Sequence, residues 1–161
     1  MGTIVTDHAR LAEILRALKQ AGRRVVFTNG CFDLLHVGHT RLLEAARAEG
    51  DILVVGLNDD ASVRRLKGPG RPLQPESERA EILAALRWVD FVTIFSGERA
   101  DDILRVLRPD VHAKGTDYTP DTIPERPTAD AIGARLAIVG DAKDHGTRDL
   151  IARILEAGGS P

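Results

Sequence analysis

The chain has 161 residues, 43% apolar, 29% charged and 4% aromatic, with 22 basic against 24 acidic side chains and one cysteine. That length predicts a single domain over residues 1–161 with a substantial core, and a net charge of −2 lacks the basic excess of a nucleic-acid binder. A lone Cys31 excludes an internal disulfide, no apolar run approaches the ~18 residues of a membrane span, and the N-terminus lacks signal-peptide order, so a soluble cytoplasmic protein without membrane partners is expected.

Segment 6–21 spaces Leu11, Ile14, Leu15 and Leu18 along one helix face, with Thr6 placed to cap the start and Gly22 to end it. Five short apolar runs follow, at 24–29, 51–57, 91–95, 110–114 and 135–140, of the type formed by strands covered on both faces. Helical spacing recurs between and after them, over 38–49, 76–88, 98–107 and 147–157, and near Ala61. The alternation predicts an α/β fold: a Rossmann-like core over 23–157, behind an N-terminal helix within 1–22, with a parallel sheet and helices on both faces. In such a fold the ligand crevice lies at the carboxyl ends of the strands. Two Gly/Pro-rich stretches, 67–75 and 116–127, read as surface loops beside that crevice or as simple connectors.

The stretch VVFTNGCFDLLHVGH (25–39) reads as a strand, a glycine turn and a helix opening near Val37. His36 and His39 flank Gly38 at that opening, where free N–H groups and the positive end of the helix dipole suit a phosphate. Gly38 leaves the backbone uncovered for a bulky anion, and the two imidazoles are placed to stabilise charge on a phosphoryl group under attack. Cys31-x4-His36-x2-His39 also reads as a zinc set lacking a second pair, and histidines satisfied by carbonyls are the bland reading. No G-x-x-x-x-G-K-[ST] occurs, and Gly68-Pro-Gly70 lacks the third glycine and the preceding strand of a dinucleotide fingerprint.

Asn29-Gly30-Cys31-Phe32-Asp33 with His36-x-Gly38-His39 resembles the signature of the cytidylyltransferase-like nucleotidyltransferases, which carry an HxGH motif on a Rossmann-like sheet. Asn58 to Val63, Leu66-Lys67-Gly68 with Arg71-Pro72, Arg79, and Lys114-Gly115-x-Asp117-Tyr118 narrow the resemblance to bacterial heptose 1-phosphate adenylyltransferases, over most of 24–154. It implies transfer of the adenylyl group of ATP to D-glycero-β-D-manno-heptose 1-phosphate, giving ADP-heptose for lipopolysaccharide and releasing pyrophosphate. Mg²⁺ would accompany ATP, with no protein side chain assigned to the metal. His36, His39 and Lys67 would be catalytic; Asn29, Gly30, Cys31, Phe32, Gly38, Arg79, Lys114, Gly115, Asp117, Gly146 and Thr147 would hold the nucleotide. Asp33, Asn58, Arg71 and Tyr118 would face the second substrate, whereas Asp59 reads better as a helix cap.

One stretch departs from the pattern. Where relatives have a Ser-Thr-Thr-like turn opening the last helix, this chain has His145-Gly146-Thr147-Arg148, losing two hydroxyls and adding a cation. The resemblance also implies a homo-oligomer such as a dimer, and a sugar kinase on a separate chain. Two alternatives stay open: a cytidylyltransferase acting on glycerol 3-phosphate or another alcohol phosphate, and a nucleotide-binding module without turnover.

Overall fold

A computed structural model describes residues 1–141 and 146–158. Six strands form one all-parallel sheet: β1 (Thr3–Ile4), β2 (Val25–Gly30), β3 (Ile52–Asn58), β4 (Phe91–Phe95), β5 (Val111–Gly115) and β6 (Arg135–Val139). Their spatial order is β1-β4-β3-β2-β5-β6. The chain builds outward from β2 through β3 to β4 and then crosses to β5 and β6. The sheet therefore reverses direction between β2 and β5, and such a switch point opens a crevice at the carboxyl ends of the two strands.

Period-two alternation divides the strand side chains between two cores. Val26, Leu53, Val55 and Leu57 face helices α2 (Val37–Ala48) and α4 (Glu76–Ala84), meeting Leu43, Ala46, Ala80 and Leu83. Val25, Phe27 and Val54 face α1 (His8–Gln20) and α5 (Asp101–Leu107), meeting Leu11, Leu15, Ile103 and Leu104. Covered on both sides, the strands are the near-continuous apolar runs visible in the sequence. Phe27 needs a glycine opposite: a Cβ on Gly56 would stand 2.5 Å from its ring.

Aspartates secure the end of the sheet where the strands begin. Asp51, Asp90 and Asp110 each precede a strand, and each accepts a backbone N–H from a neighbouring strand or its lead-in, at Arg24, Leu53 and Val25 respectively, all at 2.8 Å. Backbone donors at the starts of β2 and β3 are thereby satisfied.

Several element ends differ from expectation. Asp7, not Thr6, caps α1, accepting from the N–H of Arg10 at 3.0 Å. The helix closes as expected at Gly22, whose φ of +82° lets Arg23 N–H reach Leu18 O at 3.0 Å in a Schellman turn. α4 stops at Ala84 rather than 88, and α5 begins at Asp101 rather than 98. α3 (Asp60–Lys67) starts one residue early, and α7 (Thr147–Gly158) matches its prediction closely. Two elements were not anticipated: β1, and helix α6 (Arg126–Ile132), which grows out of the end of the Pro-rich stretch 116–127.

Candidate active site

A cleft of about 680 Å³ opens at the switch point. It is bordered by every site residue anticipated from the sequence except Arg79. His145, which opens the divergent turn before α7, lies outside the described residues.

The floor is the turn after β2. Phe32 adopts the left-handed conformation (φ +44°), a strained choice for a bulky residue that folds its ring back under the turn. A Cβ on Gly30 would lie 3.1 Å from that ring, so glycine gives the ring its place. The same ring meets His39 with centroids 5.2 Å apart, and His36 lies against His39 at 3.9 Å. The two histidines are thus stacked at the first turn of α2, with Gly38 between them in sequence.

Hydrogen bonding fixes the state of His39. Its Nδ1 accepts from the backbone N–H of His36 at 3.4 Å, so in the neutral ring the proton resides on Nε2. Burial, and secondarily the neighbouring His36, push its pKa down to about 4. At neutral pH it is a hydrogen-bond donor and not a cation.

Asp33 and Arg71 are brought together rather than presented separately. Asp33 is 2% exposed; it receives Arg71 Nε at 2.5 Å and the backbone N–H groups of Leu73 and Gln74 at 2.6 and 3.2 Å. With its carboxylate so occupied, Asp33 anchors the 71–74 loop over the cleft. Asn58 is similarly engaged, donating from Nδ2 to Gly97 O at 2.8 Å. Asp59 caps α3 as expected, accepting from Ser62 N–H at 2.7 Å and from the Ser96 hydroxyl.

Arg79 is a correction. Its side chain is fully buried behind the turn, donating to Gln74 O (2.9 Å), Cys31 O (2.6 Å), Asn58 O (3.0 Å) and Asp60 Oδ1 (2.6 Å). Four acceptors leave it no reach toward a phosphate, and it holds the turn, the end of β3 and the start of α3 together. Cys31 contributes its carbonyl to this brace, while burial pushes its thiol pKa up.

Across the switch point, Lys114 is only 7% exposed along its side chain; its ammonium is 3.3 Å from Asn29 Oδ1, 3.5 Å from Glu125 Oε2 and 4.8 Å from the Tyr118 ring centroid. A Cβ on Gly115 would stand 2.9 Å from Asp117 Oδ1, so the glycine lets the 115–118 turn close. Thr147 donates to Leu34 O at 3.4 Å, tying the start of α7 to the loop before α2. Lys67 and Arg148 border the cleft with no ion pair among the described residues. Glu98, Arg99, His112 and Glu125 were not singled out from the sequence. The first two and Glu125 border the cleft; Arg99 reaches Asp101 at 2.7 Å and Pro124 O, joining two loops that no local pattern connects.

No group of three or more His, Cys, Asp or Glu among the described residues is arranged to hold a metal ion, so Cys31, His36 and His39 do not form the zinc set considered above. Among the described residues six carboxylates border the cleft: Asp33 pairs with Arg71, Glu98 with Arg65 at 3.7 Å, Glu125 with Lys114 and Asp141 with Arg41, and Asp117 and Asp149 stand beside them.

A parallel sheet whose switch-point cleft joins a glycine turn, a histidine-bearing helix start and two unpaired cations among the described residues defines a nucleotidyltransferase-type α/β domain. The chain belongs to the cytidylyltransferase-like family, which it matches over residues 27–151. Similar proteins include the bifunctional protein HldE of Geotalea uraniireducens, 51% identical over 144 residues covering 89% of this chain and 29% of that protein. HldE of Geobacter sulfurreducens is 50% identical over 149 residues (92% and 30%), and that of Syntrophotalea carbinolica 48% over 146 (91% and 30%). The chain therefore spans about 30% of the length of these curated relatives. Among solved structures, a lipopolysaccharide core biosynthesis protein from Thermoplasma volcanium shares the fold at TM-score 0.66 and 22% identity, covering 76% of this chain and all of that one. A pantoate-beta-alanine ligase from Francisella tularensis, complexed with a βγ ATP ligand and beta-alanine, shares it at TM-score 0.63 and 16% identity, covering all of this chain and 80% of that one. Among the described residues no helix is long and apolar enough to cross a membrane.

Proposed function

We propose that the protein transfers the adenylyl group of ATP to D-glycero-β-D-manno-heptose 1-phosphate, producing ADP-heptose and pyrophosphate in the cytoplasm. The observation that carries the transfer chemistry is the pairing of a neutral, Nε2-protonated His39 with His36 at the α2 N-terminus, on the cleft that Lys67 also borders. The heptose acceptor is supported by the Asn-Gly turn, the Leu-Lys-Gly loop and the Lys-Gly-x-Asp-Tyr segment, and by relatives named HldE.

The substrate is the Mg²⁺ complex of ATP, the cation serving to neutralise charge on the phosphates. A phosphate oxygen of the sugar 1-phosphate forms a bond to the α-phosphorus, and the bond from that phosphorus to the bridging oxygen breaks. Pyrophosphate leaves with the electron pair. The attacking group is an anion at neutral pH, so no side chain has to remove a proton. The protein's work is positioning and charge stabilisation. His39 donates from Nε2 to the phosphoryl oxygens as charge shifts, His36 flanks it, and Lys67 meets the departing pyrophosphate. Thr147 and the N–H groups opening α7 add donors beside Arg148. Asp117 and Tyr118 contribute to the nucleoside and acceptor sides.

Incubation with MgATP and the heptose phosphate, followed by pyrophosphate release and product chromatography, tests the reading. ADP-heptose is the expected product. Turnover confined to another nucleotide in a four-NTP panel, or to another alcohol phosphate, would replace it with the cytidylyltransferase alternative. Binding of ATP without turnover on any acceptor would support the module reading.

A further inference from the structure

His112 takes no part in the chemistry above, yet it is fully buried in the middle of β5 beside the cleft floor. Its ring packs on Phe27 with centroids 5.7 Å apart, and its Nε2 lies 3.1 Å from Asn29 Oδ1. The same oxygen lies 3.3 Å from Lys114 Nζ. An ammonium only donates, so the Asn29 atom it meets is the carbonyl oxygen, which fixes the orientation of the amide. The oxygen only accepts, so His112 Nε2 carries the proton, and burial, which pushes the ring's pKa down to about 4, keeps it neutral. His112 Nδ1 is then buried without a hydrogen-bond partner among the described residues. An aliphatic side chain would fill this strand position without burying such an atom, so packing alone does not account for a histidine here.

We propose that His112 is a positioning residue which, together with Lys114, locks the Asn29 carboxamide so that Nδ2 donates to an anionic oxygen of the nucleotide bound at the switch point. Asn29 borders the cleft at the end of β2, and no acceptor among the described residues is bonded to its Nδ2. With Oδ1 held by two donors the amide cannot rotate, so its two N–H groups are fixed before the ligand arrives. Lys114 is itself steadied by Glu125, whose Oε1 accepts from Ala100 N–H at 3.2 Å. The Asn29 amide thus ties β2 to β5, and Glu125 carries the link on to the start of α5. This inference rests on the nucleotide reading of the cleft.

The test uses His112→Leu and His112→Gln, each alone and in an Asn29→Ala background. Glutamine keeps a donor near the position of Nε2, and leucine removes it. His112→Leu is expected to raise the KM for ATP and weaken MgATP binding about tenfold with kcat within about twofold, and His112→Gln to recover most of that loss. In the Asn29→Ala background His112→Leu should add nothing further. Equal effects of leucine and glutamine, or full additivity with Asn29→Ala, would overturn the proposal. If the wild-type protein binds no nucleotide, the functional reading fails on that ground alone, and ¹⁵N NMR decides the lock separately. A proton on Nε2 of His112, with Asn29 side-chain amide signals that move in His112→Leu and not in His112→Gln, supports it. An Nδ1-protonated ring or unmoved amide signals refute it.

Discussion

In the proposed mechanism much depends on one proton of His39. A neutral Nε2–H donor placed at the phosphoryl oxygens strengthens its hydrogen bond as charge shifts onto them, without a cation's strong hold on the ground-state triphosphate. His39→Ala is therefore expected to lower kcat by about 10²–10³-fold with the KM for ATP within about threefold, measured by steady-state pyrophosphate release. Because burial and His36 hold its pKa down to about 4, the rate should show no limb from His39 between pH 6 and 8. Gly146 offers a second residue-level test. A Cβ there would meet Asp149 Oδ2 at 3.1 Å, so a serine needs only a small yield from an exposed carboxylate. Gly146→Ser should supply a phosphate contact worth about 1 kcal/mol, tightening ATP binding up to about fivefold by calorimetry. The histidine pair was readable from the sequence because its members are contiguous with the glycine turn. His112 was not, since a histidine inside the short run 110–114 looks like any buried strand position, and its partner lies 83 residues away.

Between elements, Arg79 matters more than its place on a helix suggests. The family resemblance placed it among the nucleotide-binding residues; only the packing of α4 on β3 shows its guanidinium sealed inside. Arg79→Leu would leave Gln74 O, Cys31 O and Asn58 O without their donor and Asp60 without its ion pair. A loss of about 3–5 kcal/mol is expected, read from the urea midpoint at constant slope. Arg79→Lys should recover little, because one ammonium cannot meet four acceptors set by a planar fork. The strands and major helices were legible because burial on two faces and on one face leaves different periods. β1 was not, being two exposed residues, Thr3 and Ile4, paired only with β4. α6 was hidden because Pro120, Pro124 and Pro127 signal a loop, although Pro127 stands in the helix's first turn, where the missing N–H costs nothing.

For the molecule as a whole, the buried titratable groups set a stability window. His39 and His112 both have native pKa values held down to about 4 against 6.5 for an ordinary histidine, mainly because burial disfavours the cation. Lys114 lowers His112 further, against Glu125 and Asp101, which act in the opposite sense. Between pH 6.5 and 4 the unfolded chain binds protons at these positions that the native state refuses, so stability rises with pH across that interval and falls on acidification. At about 1.4 kcal/mol per unit, going from pH 6.5 to 4.5 should cost on the order of 2 kcal/mol for each histidine. At the alkaline end Cys31 acts in reverse: burial raises its pKa above 9.0, so the unfolded thiol ionises first and stability declines as pH climbs through that value. Asp59, with its pKa lowered by the hydrogen bonds from Ser62 and Ser96 in spite of its partial burial, adds an acid loss only below the histidine interval. The result should be a plateau from about pH 6.5 to 9, with an acid shoulder set by two residues in separate elements. Urea unfolding at pH 7.5, 5.5 and 4.5 checks this, comparing the wild type with His39→Gln combined with His112→Gln. The double variant should show a flattened acid shoulder, and an unchanged slope between pH 6.5 and 4.5 would assign the acid loss to carboxylates instead.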